Sequence, residues 1–211
     1  MDKPEQRFRR CRIDPDYPFS DRPRWKEDND HWIFATHESL ESILQSLYID
    51  VSDAEDQIDL LASIYRYQLM HRDKELVSLA DELNALASLV SLFNYRYNSQ
   101  IKLISKLNTV FDAHVVPGSL LISMDAIIRN TLMARESTFN ITLYEEDDGY
   151  MVMQHKLNDK LILHEESLLA FARIQRVYSF FSDIPFVQVK AYGENYIKFP
   201  VIKISELTPA I

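Results

Sequence analysis

Glycine is scarce in this sequence. The chain has three glycines in 211 residues, Gly118, Gly149 and Gly193, whereas average usage near 7% would give about 15. Gly149 and Gly193 lie between strand-like runs and predict hairpin turns, while Gly118 directly precedes a helical pattern. All three therefore have structural roles, and none is left for a loop whose backbone amides surround phosphate groups.

Cysteine and long apolar runs are also nearly missing. Cys11 is the single cysteine, which excludes an intramolecular disulfide and a cysteine-based zinc site and fits a reducing cytoplasm. No apolar run approaches the roughly 18 residues that span a bilayer, and no signal peptide is visible. A Walker loop and the Gly-x-Ser-x-Gly sequence of serine hydrolases are absent as well. We therefore expect a cytoplasmic protein without a membrane span.

Positive charge is limited. The net charge of -9 disfavours nucleic acid as the main partner, because phosphate contacts need clustered Lys and Arg. One basic cluster lies near the N-terminus and consists of Arg7, Arg9, Arg10 and Arg12. This cluster is either a solvated tail or a docking patch for anions.

The first hundred residues predict an extended arm followed by helices. Residues 1–33 lack a sustained period and predict a flexible arm. A helical period begins at Thr36, and Ser52 with Glu55 predicts a capping box for the next helix. Ser78 predicts the N-cap of a third helix. That helix has an apolar stripe at heptad spacing, Leu79, Leu83, Leu86, Val90, Phe93 and Tyr97. The stripe predicts either an intrachain core or a dimeric bundle.

The remainder predicts the order β-α-β-β-α-β-β. The expected parts are a strand near Ile101, a helix over residues 119–134, a hairpin around Gly149, a helix over residues 167–182 and a hairpin around Gly193. Phe171, Tyr178, Phe180 and Phe181 are expected to form core beneath the sheet. This order predicts an α+β fold with a mixed sheet covered by helices on one face. The expected domains are an arm at 1–33, a helical hairpin at 34–99 and an α/β domain at 100–211.

Several motifs, in order, resemble those of the LytS-type bacterial sensor histidine kinases. The family's Asn-Pro-His-Phe-Leu-Phe-Asn-Ser-Leu corresponds to Ala-Thr-His37-Glu-Ser-Leu-Glu-Ser-Ile, and its Leu-Arg-Tyr to Tyr65-Arg66-Tyr67. The family's Leu-Val-Thr-Leu-Glu-Glu-Glu-Leu corresponds to Leu76-Val-Ser-Leu-Ala-Asp-Glu-Leu83. The resemblance implies a phosphoacceptor-type dimerisation hairpin followed by a GHKL ATPase-like α/β sandwich.

The sequence departs from the family where nucleotide would bind. The family's Val-Glu-Asn-Ala-Ile-Lys-His corresponds to residues 124–130. Asp125 stands at the Glu that serves as the base, Arg129 at the Lys and Asn130 at the His. Ala126 stands at the Asn that ligates Mg²⁺, and it has no oxygen for this hard cation. The resemblance thus implies a vestigial nucleotide site on this helix.

Two further segments depart in the same way. The adenine-contacting segment corresponds to residues 155–160, beginning with His155 and Lys156. The family's Gly-x-Gly-Leu, which opens the last helix, corresponds to residues 168–171. Leu168 replaces a glycine there and is expected to fill the space of the phosphates. No metal site is predicted, because His155 and His164 match no zinc spacing and are expected to be solvated loop residues.

The resemblance implies a degenerate histidine kinase, or pseudokinase, of a two-component system that acts by protein contacts without a cofactor. The implied partners are a second copy, an active histidine kinase or a response regulator of the LytTR class. One alternative is a working kinase with His37 and a rebuilt Mg-ATP site, and another is a phosphotransfer module.

His37 aligns with the phosphoacceptor, and Glu38 could take its proton. His37 could equally be a first-turn residue of a helix that is capped by Thr36.

Overall fold

The computed structural model describes residues 34–97, 100–107, 113–133 and 138–203, with side chains from Ser39 onward. The predicted arm with its basic cluster and Cys11 lies outside the described residues. The described residues form the helices α1 (Phe34–Leu47), α2 (Val51–His71), α3 (Leu79–Arg96), α4 (Ser119–Asn130) and α5 (Glu165–Phe181). They form the strands β1 (Val77–Ser78), β2 (Ile101–Ser105), β3 (Ala113–Val115), β4 (Phe139–Glu146), β5 (Tyr150–Lys156), β6 (Val187–Ala191), β7 (Glu194–Pro200) and β8 (Ile202–Lys203).

The strands form two sheets. The larger sheet has the order β2-β4-β5-β7-β6, with β2 parallel to β4 and the other neighbours antiparallel. The smaller sheet pairs β1, β3 and β8 antiparallel. Helices followed by a mixed sheet confirm the predicted α+β fold class. The smaller sheet was not predicted, because strands of two or three residues are too short to show an alternating pattern.

One face of the larger sheet forms the core together with the helices. Phe139, Ile141 and Leu143 are buried, whereas Asn140, between the first two, is exposed. The predicted hairpin of β4 and β5 is confirmed, and Gly149 has the positive φ of 88° that its turn requires. Tyr178 of α5 packs edge-on against Phe199 of β7, with ring centroids 6.5 Å apart.

The helix boundaries differ from the prediction in three places. The N-cap of α2 is Asp50, whose carboxylate accepts from the amide of Ser52 at 2.9 Å, so the predicted capping box at Ser52 is wrong. Helix α4 ends at Asn130 rather than near residue 134, because Thr131 is extended and pairs with Asp159. Helix α5 begins at Glu165, earlier than predicted. The predicted N-cap at Ser78 is confirmed by its hydrogen bond from the amide of Asp81, at 3.1 Å.

The apolar stripe of α3 packs inside the chain. Leu79, Leu86, Val90 and Phe93 are buried, and Leu83 and Tyr97 are partly buried against the same core. Since α3 contacts both α2 and α4, it packs on both sides of the predicted domain boundary near residue 99. The domain division stays a prediction.

Within the described part of the hairpin, exposed apolar side chains instead lie on the first two helices. They include Leu40, Leu44 and Leu47 of α1 and Ile58, Tyr65 and Leu69 of α2. The apolar face predicted for α1 is therefore divided, because Ile43 is buried whereas Leu40, Leu44 and Leu47 are exposed. The expectation for the α5 aromatics is wrong at Phe180, which is 41% exposed. No helix within the described part of the chain has the length and apolar character needed to cross a membrane.

The stripe on α3 gives a test of the core. We expect Leu86→Ala to lower the free energy of unfolding by about 2 to 5 kcal/mol, because Leu86 is fully buried. Leu168→Ala is the matched control on α5; that side chain is 53% exposed, and the change should be within about 0.5 kcal/mol. Urea unfolding at two protein concentrations measures both variants. If the loss of unfolding free energy in Leu86→Ala depended on protein concentration, that result would contradict an intrachain role for the stripe.

Candidate functional site

Two of the predicted nucleotide-binding residues on α4, Asp125 and Arg129, are paired with each other. Arg129 donates through Nε to the Oδ2 atom of Asp125 at 2.7 Å, across one turn of the helix. Ala126, between them, is 2% exposed and presents only a methyl group. The carboxylate at the position of the family's base thus faces a guanidinium, and the position of the magnesium ligand has no oxygen.

The end of α4 is hydrogen-bonded to the segment that follows β5. The side-chain oxygen of Asn130 accepts from the amide of His164 at 2.7 Å, and its backbone oxygen accepts from the amide of Lys160, also at 2.7 Å. The amide of Leu132 donates to the backbone oxygen of Asn158 at 2.7 Å. The structure therefore brings Asn130 together with the segment predicted to contact adenine.

His155 has a structural environment. It is 3% exposed on β5, so the expectation of a solvated loop residue is wrong. The amide nitrogen of Asn195 lies 2.8 Å from Nε2, and the backbone oxygen of Lys156 lies 3.0 Å from Nδ1. These partners fit a neutral ring that donates from Nδ1 and accepts at Nε2. Burial lowers the pKa of His155, which agrees with that neutral form. The side chain of Lys156 is exposed.

His37 and Glu38 lie within α1, and their side chains are outside the described residues. Helix α1 already includes Thr36, so Thr36 does not have the predicted place before the helix. His37 is part of the helical hairpin, whereas the other predicted residues lie on α4 and β5.

The residues at the predicted nucleotide site do not fit a magnesium ion. They contribute two carboxylates, one on Asp125, which is paired with Arg129, and one on Asp159, which is paired with Lys190. The described residues contain no group of three or more His, Cys, Asp or Glu that could hold a metal. Leu168 is half-exposed, and the expectation that it fills the space of the phosphates stays a prediction. Residues 168–171 lie inside α5 and are not a loop before it.

Comparison with known protein families gives a match to the first part of the chain. Residues 28–101 match the family model described as histidine kinase. This segment of the chain is similar to the histidine kinase family. The match covers α1 to α3 and the first residue of β2. Asp125, Asn130 and His155 lie beyond it.

Solved structures of histidine kinases align at low similarity. The crystal structure of a histidine kinase from Burkholderia phymatum STM815 has 13% identity and a TM-score of 0.42, over 84% of this chain and 93% of its own. The Acinetobacter baumannii histidine kinase AdeS has 12% identity and a TM-score of 0.40, over 82% and 96%. A search of curated proteins found no match.

The segment that matches the family model, residues 28–101, also contains a buried acid that the sequence analysis missed. Glu82 of α3 is fully buried, and its carboxylate accepts from the amide of Gly118 at 2.8 Å and from the amide of Leu120 at 3.0 Å. The hydroxyl of Tyr67 on α2 donates to the same carboxylate. The first amides of a helix lack partners within the helix, and here Glu82 supplies them for α4.

Gly118 explains why this cap comes from another helix. It is the N-cap residue of α4, with φ of 76°, and it has no side chain with which to accept from the first turn. A sequence signal for Glu82 was available, because it lies one turn from both Leu79 and Leu86 on the apolar face of α3. A charged residue at such a position needs buried partners.

Burial raises the pKa of Glu82 to about 7, and its hydrogen bonds from Tyr67 and the α4 amides oppose that rise. A carboxyl group with a raised pKa in the folded state stabilises the fold below its unfolded pKa near 4.5, and that contribution is lost as pH rises through about 7. We expect the free energy of unfolding to fall over this window by roughly 3 kcal/mol more in the wild type than in Glu82→Gln. Urea unfolding at pH 5 and pH 8 measures the difference. Parallel pH profiles would contradict it.

Proposed function

We propose that this chain is a pseudokinase of a two-component system, a signalling protein that acts through contacts with other proteins without consuming ATP. One observation carries the proposal: the end of α4 and the segment after β5 are hydrogen-bonded to each other. In the LytS-type family these two segments contact nucleotide. Here Asn130 bonds to Lys160 and His164, and Leu132 bonds to Asn158. A nucleotide between these segments would have to break those bonds.

Charge supports the same proposal. The N-terminus of a helix usually attracts phosphate, because its free amides and its dipole favour anions. In α5 the first turn holds Glu165 and Glu166, both exposed, which repel a phosphate approaching that end. On α4, Asp125 is paired with Arg129, which neutralises the side chain aligned with the catalytic base.

The proposed partners are an active histidine kinase, a second copy of the chain or a LytTR-class response regulator, in the cytoplasm. The helical hairpin supports this choice, because its exposed apolar side chains lie on α1 and α2, among them Leu44 at 58% and Leu69 at 72%. Contiguous exposed apolar surface commonly marks a protein interface. The stripe on α3 is buried in the chain, so the proposed contact uses α1 and α2.

The loss of nucleotide binding is tested by thermal unfolding. We expect the melting temperature to be the same with and without millimolar Mg-ATP or Mg-ADP, because the segments that would hold the nucleotide bond to each other. A ligand at 100 times its Kd would add about 2.7 kcal/mol, which is readily measured. Magnesium chloride alone is the control for screening of the net charge of -9. A shift specific to nucleotide would overturn the pseudokinase proposal.

A second candidate function is phosphotransfer through His37. The observation in its favour is that the histidine kinase match, residues 28–101, includes His37 within α1. In this case an active partner kinase would phosphorylate His37 in trans, and the α/β domain would be structural.

Radiolabelled ATP with an active relative tests this candidate. Phosphotransfer predicts an acid-labile phosphate on the chain that His37→Ala abolishes. His164→Ala is the control, because His164 is an exposed histidine outside the helical hairpin. Labelling that survives His37→Ala, or no labelling of the wild type, would exclude phosphotransfer through His37 while leaving the pseudokinase proposal intact.

A further inference from the structure

A buried polar contact joins three helices at the junction of the helical hairpin and the sheet. Glu82 of α3 accepts from Tyr67 of α2 and from the amides of Gly118 and Leu120 at the start of α4. Tyr67 is 9% exposed and Glu82 is fully buried, so water does not replace either group easily. Tyr178 of α5 lies next to this contact and bonds to Ser119 at 3.1 Å.

Every hydrogen-bond neighbour of this carboxyl group donates to it. A fully satisfied buried group is held rigidly in one position, so loss of the Tyr67 donor loosens its hold on the α4 amides. The tyrosine is the one donor on α2, whereas the amides belong to α4. The position of α2 is therefore linked to the hydrogen bonds that the first amides of α4 donate.

Helix α2 is also fixed to α1 at a distant point. Gln57 is fully buried on α2; its Oε1 accepts from Ser42 at 2.9 Å, and its Nε2 donates to Ser46 at 2.7 Å. Gln57 and Tyr67 are ten residues apart, about 15 Å along the helix. A regular helix transmits displacement over that length as a stiff rod.

We propose that Tyr67 and Glu82 form a latch through which displacement of the α1–α2 helix pair loosens the first turn of α4. The latch belongs to the chain itself and does not depend on the proposed function or on phosphorylation of His37. Its consequence is that a partner that moves α1 and α2 changes the order of α4, the helix that carries Asp125 and Arg129.

Hydrogen exchange of the full-length chain tests the latch, with the first turn of α4 compared with β5 as a reference for global stability. We expect Tyr67→Phe to speed exchange at Gly118 and Leu120 about tenfold more than in β5, as for loss of a hydrogen bond to a charged group. Tyr95→Phe is the matched control. Its hydroxyl bonds to the exposed Asp56 at 3.2 Å across the same two helices, and its loss should leave the α4 turn unchanged.

A distant perturbation tests transmission. We expect Gln57→Ala to speed exchange in the α4 turn about fivefold in the wild type, and to add nothing in the Tyr67→Phe background. Effects of the two substitutions that multiply in the double variant would overturn the latch, because the path would then bypass Tyr67. Equal acceleration of the α4 turn and β5 by Tyr67→Phe would also overturn it, since that result describes a general loss of stability. If Gln57→Ala alone leaves hydrogen exchange in the α4 turn unchanged, the latch is overturned as well.

Discussion

The arrangement of the helices depends on one buried carboxyl group and the donors around it. Glu82 cannot be placed in the core without them, because an unsatisfied buried acid costs several kcal/mol. Its donors come from α2 and from the start of α4, so these elements and α3 must reach their positions together. Burial raises the pKa of this group, and the hydrogen bonds donated to it oppose that rise.

The sequence predicted those parts of the fold that depend on local pattern. The β4–β5 hairpin follows from alternating apolar residues around Gly149, and the start of α3 follows from Ser78. The smaller sheet could not be predicted, because its short strands pair only after distant segments have come together. The missed cap at Asp50 shows the same limit, since two neighbouring residues can each cap a helix and only packing decides between them.

The candidate site could be predicted only in part. Side-chain identity alone identified Ala126 as a departure from the kinase pattern, between Asp125 and Arg129, which keep the charges of the family's Glu and Lys. It could not indicate that Asn130 and its neighbours hydrogen-bond to the segment after β5, because most of those bonds use backbone atoms that any residue provides. The role of His155 was hidden for a related reason, since its partner Asn195 comes from a strand forty residues later in the chain.

The division of apolar residues among the helices links the fold to the proposed function. Because α3 uses its stripe inside the chain, the exposed apolar surface of the described part of the hairpin lies on α1 and α2. The second of these helices also carries Tyr67, whose hydroxyl faces inward to Glu82. A partner that binds the outer face of α2 therefore acts on the helix whose inner face holds the start of α4. Under the proposed latch, a protein contact at α2 would change the order of α4 without any nucleotide.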